Sequence, residues 1–342
     1  MLYIVMTTPE CNLHCSYCGG SLHGMPNDIT YKDELLVQLI SEDKDAVVAF
    51  YGGEPLLRPK VIQHYLDILP AKHFVINTNG YFINKIEDEL ACFDSILLSI
   101  DGRKEVTDSY REKGCYDQVM KARDLIYDSS FSGELIARMA VSKNTDIYKD
   151  VTHLLDYFAF VHWQLDVVWS VLWELSDFQQ WVETSYKLGL KRLINEWIAD
   201  IKNGYIRGII PFRGIATRLL FNEISGLPCQ SGERAFAITT DGTILACPIA
   251  PDYKWNSLGS LSEGYKRISV DDPCLTCDVY RICGGRCLFA NKERLWGKNG
   301  FDSICEVTKF LIQEIIHHIH VCESVKNQIK YPPYNNTTEI IP

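Results

Sequence analysis

The sequence predicts an α/β protein, a partial (β/α)6 barrel followed by a small cysteine-rich domain that carries a β-hairpin. Three observations lead there. From residue 2 to about 205, short apolar runs alternate with amphipathic stretches, the βαβα rhythm of a parallel sheet or barrel. Beyond that point long periodic runs thin out, and cysteine and glycine crowd the chain. At 342 residues, 46% of them apolar and 23% charged, the chain is long enough for one large core and a smaller companion.

Six runs read as strands: LYIVMTT (2–8), AVVAFYG (46–52), HFVINTN (73–79), SILLSID (95–101), ELIARMAV (134–141) and VHWQLDVVW (161–169). Several are apolar with little alternation, as expected when helices cover the outer face. Between them DELLVQLI (33–40), KVIQHYLDIL (60–69) and YDQVMKARDLIY (116–127) place apolar residues three and four apart and read as helices. Right-handed crossovers then bring all six strand C-termini to one rim, where α/β active sites gather. RAFAITTDGTILACP (234–248) reads as a hairpin turning at Asp241-Gly242, and a last helix spans 309–325 before a polar tail. The expected division is 1–215 for the barrel, 216–308 for the cysteine-rich domain and 309–342 for the helix and tail.

A formal net charge of −10 provides no positive field for nucleic acid or an anionic membrane surface. The first apolar run is broken by Thr7, Thr8 and Pro9 and lacks a basic flank, so it reads neither as an export signal nor as a membrane span. A cytoplasmic protein is expected. Thirteen cysteines in such a chain point to metal or cluster binding rather than to disulfides.

Cys11, Cys15 and Cys18 directly follow the first strand, in the first βα loop. Structural zinc normally takes four ligands in paired sets; His14 and His23 lie nearby but do not give that pattern. A 4Fe–4S cubane on three thiolates instead leaves one iron with a free position for substrate or cofactor. CNLHCSYC resembles the Cys-x3-Cys-x2-Cys signature of the radical S-adenosylmethionine (SAM) enzymes. The resemblance implies that the open iron chelates the amino and carboxylate groups of SAM, whose reductive cleavage yields a 5′-deoxyadenosyl radical.

The other rim motifs fit the same resemblance. Gly52, Gly53 and Glu54 of YGGEP correspond to the family's Gly-Gly-Glu-Pro motif, which holds the methionyl amino group; a plain glycine turn is the alternative. Asn79, with Asn77, ends the third strand, and Ser99 and Asp101 end the fourth, each pair on one face by period-two geometry. By resemblance, these strand ends contact the ribose and methionine parts of SAM, with turn or cap duty as the alternative for the asparagines. Arg138 interrupts an apolar strand and needs an anion; the resemblance makes that anion the SAM carboxylate, and a structural ion pair is the other reading. Tyr17 stands where the family places an aromatic ring near the adenine, with loop packing as the alternative.

The second cysteine set comprises Cys229, Cys247, Cys274, Cys277, Cys283, Cys287 and Cys305. Taken alone, Cys-x2-Cys-x5-Cys-x3-Cys suits zinc or one cluster. The full pattern resembles the seven-cysteine SPASM domain, which carries auxiliary 4Fe–4S clusters. Carried over, Cys229, Cys247 and Cys287 hold one cluster and Cys274, Cys277, Cys283 and Cys305 the other. No cysteine lies between Cys115 and Cys229, so the first auxiliary cluster is left with an open or non-cysteine fourth site. Cys92, Cys115 and Cys322 read as small hydrophobes.

The overall arrangement is most similar to an archaeal group of peptide-modifying radical SAM proteins. The expectation is therefore hydrogen abstraction from a peptide or protein, fed by a donor such as ferredoxin or flavodoxin. Tailoring of a small molecule or tetrapyrrole, and a non-catalytic iron–sulfur electron carrier, are the rival readings. No decisive carboxylate pair marks a catalytic acid or base.

Overall fold

The computed structural model describes residues 1–18, 24–168, 172–223, 226–331, 334, 336–337 and 341–342. Six parallel strands form its centre: β1 (Leu2–Thr8), β2 (Val47–Gly52), β3 (His73–Thr78), β4 (Ser95–Ser99), β5 (Glu134–Val141) and β6 (Phe160–Leu165). They lie side by side in chain order, and a two-residue β7 (Gly208–Ile209) continues past β6. The expected strands are all present: β1 and β5 have the expected bounds, β2 starts one residue later, and β3 and β4 end one and two residues earlier at the rim. The sixth gives way to a helical turn at Asp166–Val168, and residue 169 lies outside the described residues.

Every residue of β1 is buried, which is why that run reads as uninterrupted apolar sequence. The expected helices appear as Asp33–Ser41, Pro59–Ile68 and Cys115–Asp128. Their apolar stripes, among them Leu36, Ile62 and Val119, seat on the outer face of the sheet.

The cysteine-rich part does not form a separate layer. Strands β8 (Ala235–Ile238) and β9 (Thr243–Leu245) make the expected hairpin, joined by β10 (Ser257–Ser260) and β11 (Gly264–Tyr265). β8 pairs in parallel with β1, aligning Leu2 with Ala235 and Val5 with Ile238. The free edge of β1 is thus covered by the hairpin, so the sheet stays open and runs on as eleven strands.

The expected boundaries fall inside helices. Residue 215 lies within Ile210–Phe221 and residue 308 within Gly297–His317, a 21-residue helix that begins well before the position the sequence suggested. Apolar residues of both parts, from Val5 to Ile312, belong to one continuous core. Among the described residues of the tail, Asn336 and Ile341 are buried, and Asn336 donates to the Tyr331 hydroxyl at 2.7 Å. Among the described residues no helix is long and apolar enough to cross a membrane.

Candidate active site

The C-terminal ends of the parallel strands open into a cavity of about 490 Å³. Cys11, Cys15 and Cys18 line it together with Gly52, Gly53, Glu54, Asn79, Ser99, Arg138 and Tyr17. Of the residues expected around the N-terminal loop, Asp101 alone is absent from its wall. His14 reaches the rim, but its exposed ring sits 3.6 Å from the Glu112 carboxylate; His23 lies outside the described residues.

The thiol loop is pinned on several sides. The amide of Cys18 donates to the carbonyl of Cys15 at 2.9 Å, and that of Ser16 to the carbonyl of Tyr110 at 2.8 Å. The Cys11 sulfur accepts from the amide of Leu13 at 3.4 Å. Burial pushes the Cys15 thiol up to about 12, so the free loop holds a proton that iron would replace.

Gly52 and Gly53 are required by the chain itself. A Cβ on Gly52 would fall 2.2 Å from the Thr8 carbonyl oxygen, and one on Gly53 2.2 Å from that of Glu10. The amides of Gly53 and Glu54 donate to those same carbonyls at 2.9 and 2.8 Å. The glycine pair therefore clamps the start of the cysteine loop onto the end of β2, a closer reason for glycine than approach to a ligand.

Glu54 is buried, and its carboxylate accepts from Thr78 Oγ1 at 2.7 Å, the Leu56 amide at 3.0 Å and the Asn79 amide at 2.8 Å. A carboxylate has about four acceptor positions, so one remains for a donor in the cavity. Burial raises its pKa to about 7 against the pull of these three donors. Asn79 braces the loop: its Nδ2 donates to Asn12 Oδ1 at 2.9 Å and lies 3.9 Å from the Cys11 sulfur, while its Oδ1 accepts from the Tyr81 amide.

Strand register accounts for the far wall. Ser99 aligns with Arg138 and Arg138 with His162, while Ala140 aligns with Gln164; Ser99, Arg138, Ala140 and Gln164 all line the cavity. Gln164 escaped the sequence reading, although a polar residue inside an apolar strand is the same signal that marked Arg138.

Asp101, expected among the SAM contacts, stands behind the cavity wall. Fully buried, it accepts from Arg111 Nε at 2.7 Å, Arg111 Nη2 at 2.9 Å, the Tyr17 hydroxyl at 2.8 Å and the Ala140 amide at 2.9 Å. Its four acceptor positions are filled, leaving none for a ligand. The Tyr17 ring stands 5.7 Å from that of Tyr110 and 5.6 Å from the Arg111 guanidinium, so the loop-packing alternative describes its contacts. Arg111, unmarked in the polar run SYREKG, is the missed member of this wall.

The second cysteine set divides in space. Cys274, Cys277, Cys283 and Cys305, which the resemblance assigns to one cluster, line one mostly apolar cavity. Cys229 lies ahead of β8, Cys247 just after β9, and Cys287 immediately before helix Leu288–Glu293. Asn256 clamps Cys247 by accepting from its amide and donating to its carbonyl, each at 2.8 Å. The next two residues, Pro248 and Ile249, form part of the first cavity's wall. Among the described residues no three His, Cys, Asp or Glu converge tightly enough for one metal ion.

The sequence profile of the radical SAM superfamily matches residues 5–155, the span from β1 through the helix after β5. Residues 5–155 carry a radical SAM domain. Over 341 aligned residues it is 25% identical to an uncharacterised protein of Archaeoglobus fulgidus, covering 89% of this chain and 78% of that one. It is 23% identical to the cysteine-type anaerobic sulfatase-maturating enzyme of Clostridium novyi, covering 92% and 95%. The solved structure of anSMEcpe with bound AdoMet has the same fold, with a TM-score of 0.72 at 20% identity over 96% of this chain and all of that one. A further structure of that protein holds AdoMet and the Cp18Cys peptide. The superfamily that this domain matches is one of enzymes that use a 4Fe–4S cluster and SAM.

Proposed function

We propose that the protein abstracts hydrogen from a peptide or protein residue, as part of a post-translational modification. The observation that carries this reading is the single cavity that three thiols share with Glu54, Ser99 and Arg138. Cys11, Cys15 and Cys18 hold the 4Fe–4S cluster, and the fit is good: three thiols and no fourth cysteine face a space large enough for cluster and cofactor together. When bound, cluster and SAM supply the organic radical that takes hydrogen from a substrate C–H bond. Glu54 offers its remaining acceptor position to the SAM ammonium, and Arg138 offers its guanidinium to the SAM carboxylate. Asp101 and Arg111 hold Tyr17 and the thiol loop in place.

The cysteine-rich part is the SPASM-type module, with one auxiliary cluster on Cys229, Cys247 and Cys287 and another on Cys274, Cys277, Cys283 and Cys305. The peptide assignment is supported by the sulfatase-maturating relative and by the fold shared with a peptide-bound maturase. The low-potential electron comes from a ferredoxin or flavodoxin. Anaerobic reconstitution, reduction with dithionite and addition of SAM should release 5′-deoxyadenosine. Deuterium transfer into that product from a labelled peptide supports the assignment; transfer from a small-molecule substrate alone overturns it.

A further inference from the structure

The loop between the two sets of C-terminal cysteines carries a buried cation whose amino groups have no partner. Arg286 stands between Cys283 and Cys287, only 5% exposed, and lines the same cavity as Cys274, Cys277, Cys283 and Cys305. Its Nε donates to a main-chain oxygen of Pro342, the last residue described, at 2.8 Å. Its Nη1 and Nη2 are buried without a hydrogen-bond partner.

Neighbouring cations are provided for. Arg218 Nη1 donates to the carbonyls of Gly226 and Ile282, Lys292 pairs with Asp271, and Lys309 lies 3.4 Å from Asp278. The placement of Arg286 is also costly in backbone terms. Gly284, Gly285 and Arg286 all have positive φ, at 65°, 92° and 56°, and a Cβ on Gly284 would fall 1.7 Å from the Gly226 carbonyl oxygen. With its backbone in the left-handed region and its two Nη groups desolvated in the cavity that the four thiols line, this guanidinium calls for a further acceptor, and a negatively charged one would balance it.

We propose that Arg286 is that balance for the cluster on Cys274, Cys277, Cys283 and Cys305, a positioning residue whose Nη groups donate to cluster or cysteinyl sulfur and raise the cluster's reduction potential. The proposal rests on the auxiliary-cluster reading above. A cubane on four thiolates is a dianion when oxidised and a trianion after accepting one electron. A fixed cation with N–H donors at the sulfurs stabilises the more negative state, so the electron from the external reductant is held more readily. No bond to carbon and no proton changes hands in this step.

The test uses the full chain, reconstituted anaerobically, as wild type, Arg286→Gln and Arg286→Lys, with iron analysis and a dithionite redox titration followed by electron paramagnetic resonance. At a fixed potential, Arg286→Gln should lower the reduced-to-oxidised ratio of one auxiliary cluster about tenfold, equivalent to ~59 mV for a one-electron couple. Arg286→Lys keeps the charge without the fork and should give a smaller shift, while the potential of the Cys11–Cys15–Cys18 cluster stays put. Loss of iron in Arg286→Gln, with iron retained in Arg286→Lys, also supports the charge role. Full iron with an unchanged potential in Arg286→Gln overturns the proposal, as does iron loss in both variants, which would make Arg286 a loop-packing residue. A wild-type protein lacking auxiliary iron would instead bring down the cluster reading itself.

Discussion

The thiols of Cys11, Cys15 and Cys18 stand at the mouth of a parallel sheet that is already complete without them, on a loop clamped by Gly52, Gly53 and Asn79. In the C-terminal region, the thiols of Cys274, Cys277, Cys283 and Cys305 are what a series of short turns and helices share. The first site borrows its rigidity from strands on either side and leaves a cavity of about 490 Å³ open in front. The second leans on helix Gly297–His317 through Cys305, its other thiols lying on turns and a four-residue helix, and seats a buried cation with unpaired donors. Under the proposed function, iron would serve chemistry in the first region, whereas in the second it would also be part of the architecture.

The sharpest break in that comparison is the Cys11, Cys15, Cys18 triple alanine variant. Deoxyadenosine formation should fall to background while circular dichroism and the melting transition barely move, because the sheet does not depend on the loop. A fold that collapses with those three cysteines would erase the contrast.

Next in size is Asp101→Asn. It leaves the buried Arg111 fork facing a neutral amide, and should destabilise the protein by roughly 3–5 kcal/mol in a urea melt. Replacing Arg111 as well should recover part of that loss, as expected of a coupled pair. A mild effect on stability with a large loss of SAM affinity would return Asp101 to the cofactor's first contacts.

Limited proteolysis of iron-free protein sharpens the contrast from the other side. Without metal, cleavage should concentrate between residues 226 and 308, while fragments spanning β1 to β6 persist; with iron both regions should resist. Equal protection of the two regions in the apo state would contradict the architectural role of the second site.

The smallest expected effect concerns Glu54. Its carboxyl titrates near pH 7 because burial raises it, and the ionised form is the one that would accept from the SAM ammonium proposed beside it. SAM affinity should therefore be full above that pH and fall as the pH drops through it, approaching tenfold per unit on the acid side. A flat profile between pH 8 and 6 would remove Glu54 from the ammonium site.

Much of this arrangement was legible in the sequence because strands buried on both faces announce themselves: β1 to β6 follow the apolar runs closely. The thiol loop and Glu54 were visible through spacing and strand-end position. What the sequence hid depended on contacts between distant segments. Asp101 looks like a rim residue until Arg111, ten positions on, is seen to fill its carboxylate. The pairing of β8 with β1 joins residues over two hundred positions apart, and no local pattern signals it. Helix Gly297–His317 was cut short because its first turns lie in a Gly- and Lys-rich stretch that carries little periodicity. Arg286 gave no signal beyond its place in CGGRC.

Iron and acid-labile sulfide counted on anaerobically reconstituted full-length protein, beside the triple variant and a Cys274, Cys277 double alanine variant, test the central claim most directly. Three cubanes require about twelve irons per chain. Each variant should lose about four of them, the first without unfolding and the second with local loss of protease resistance. Iron near four in the wild type, or zinc bound at the C-terminal cysteines, would contradict the account.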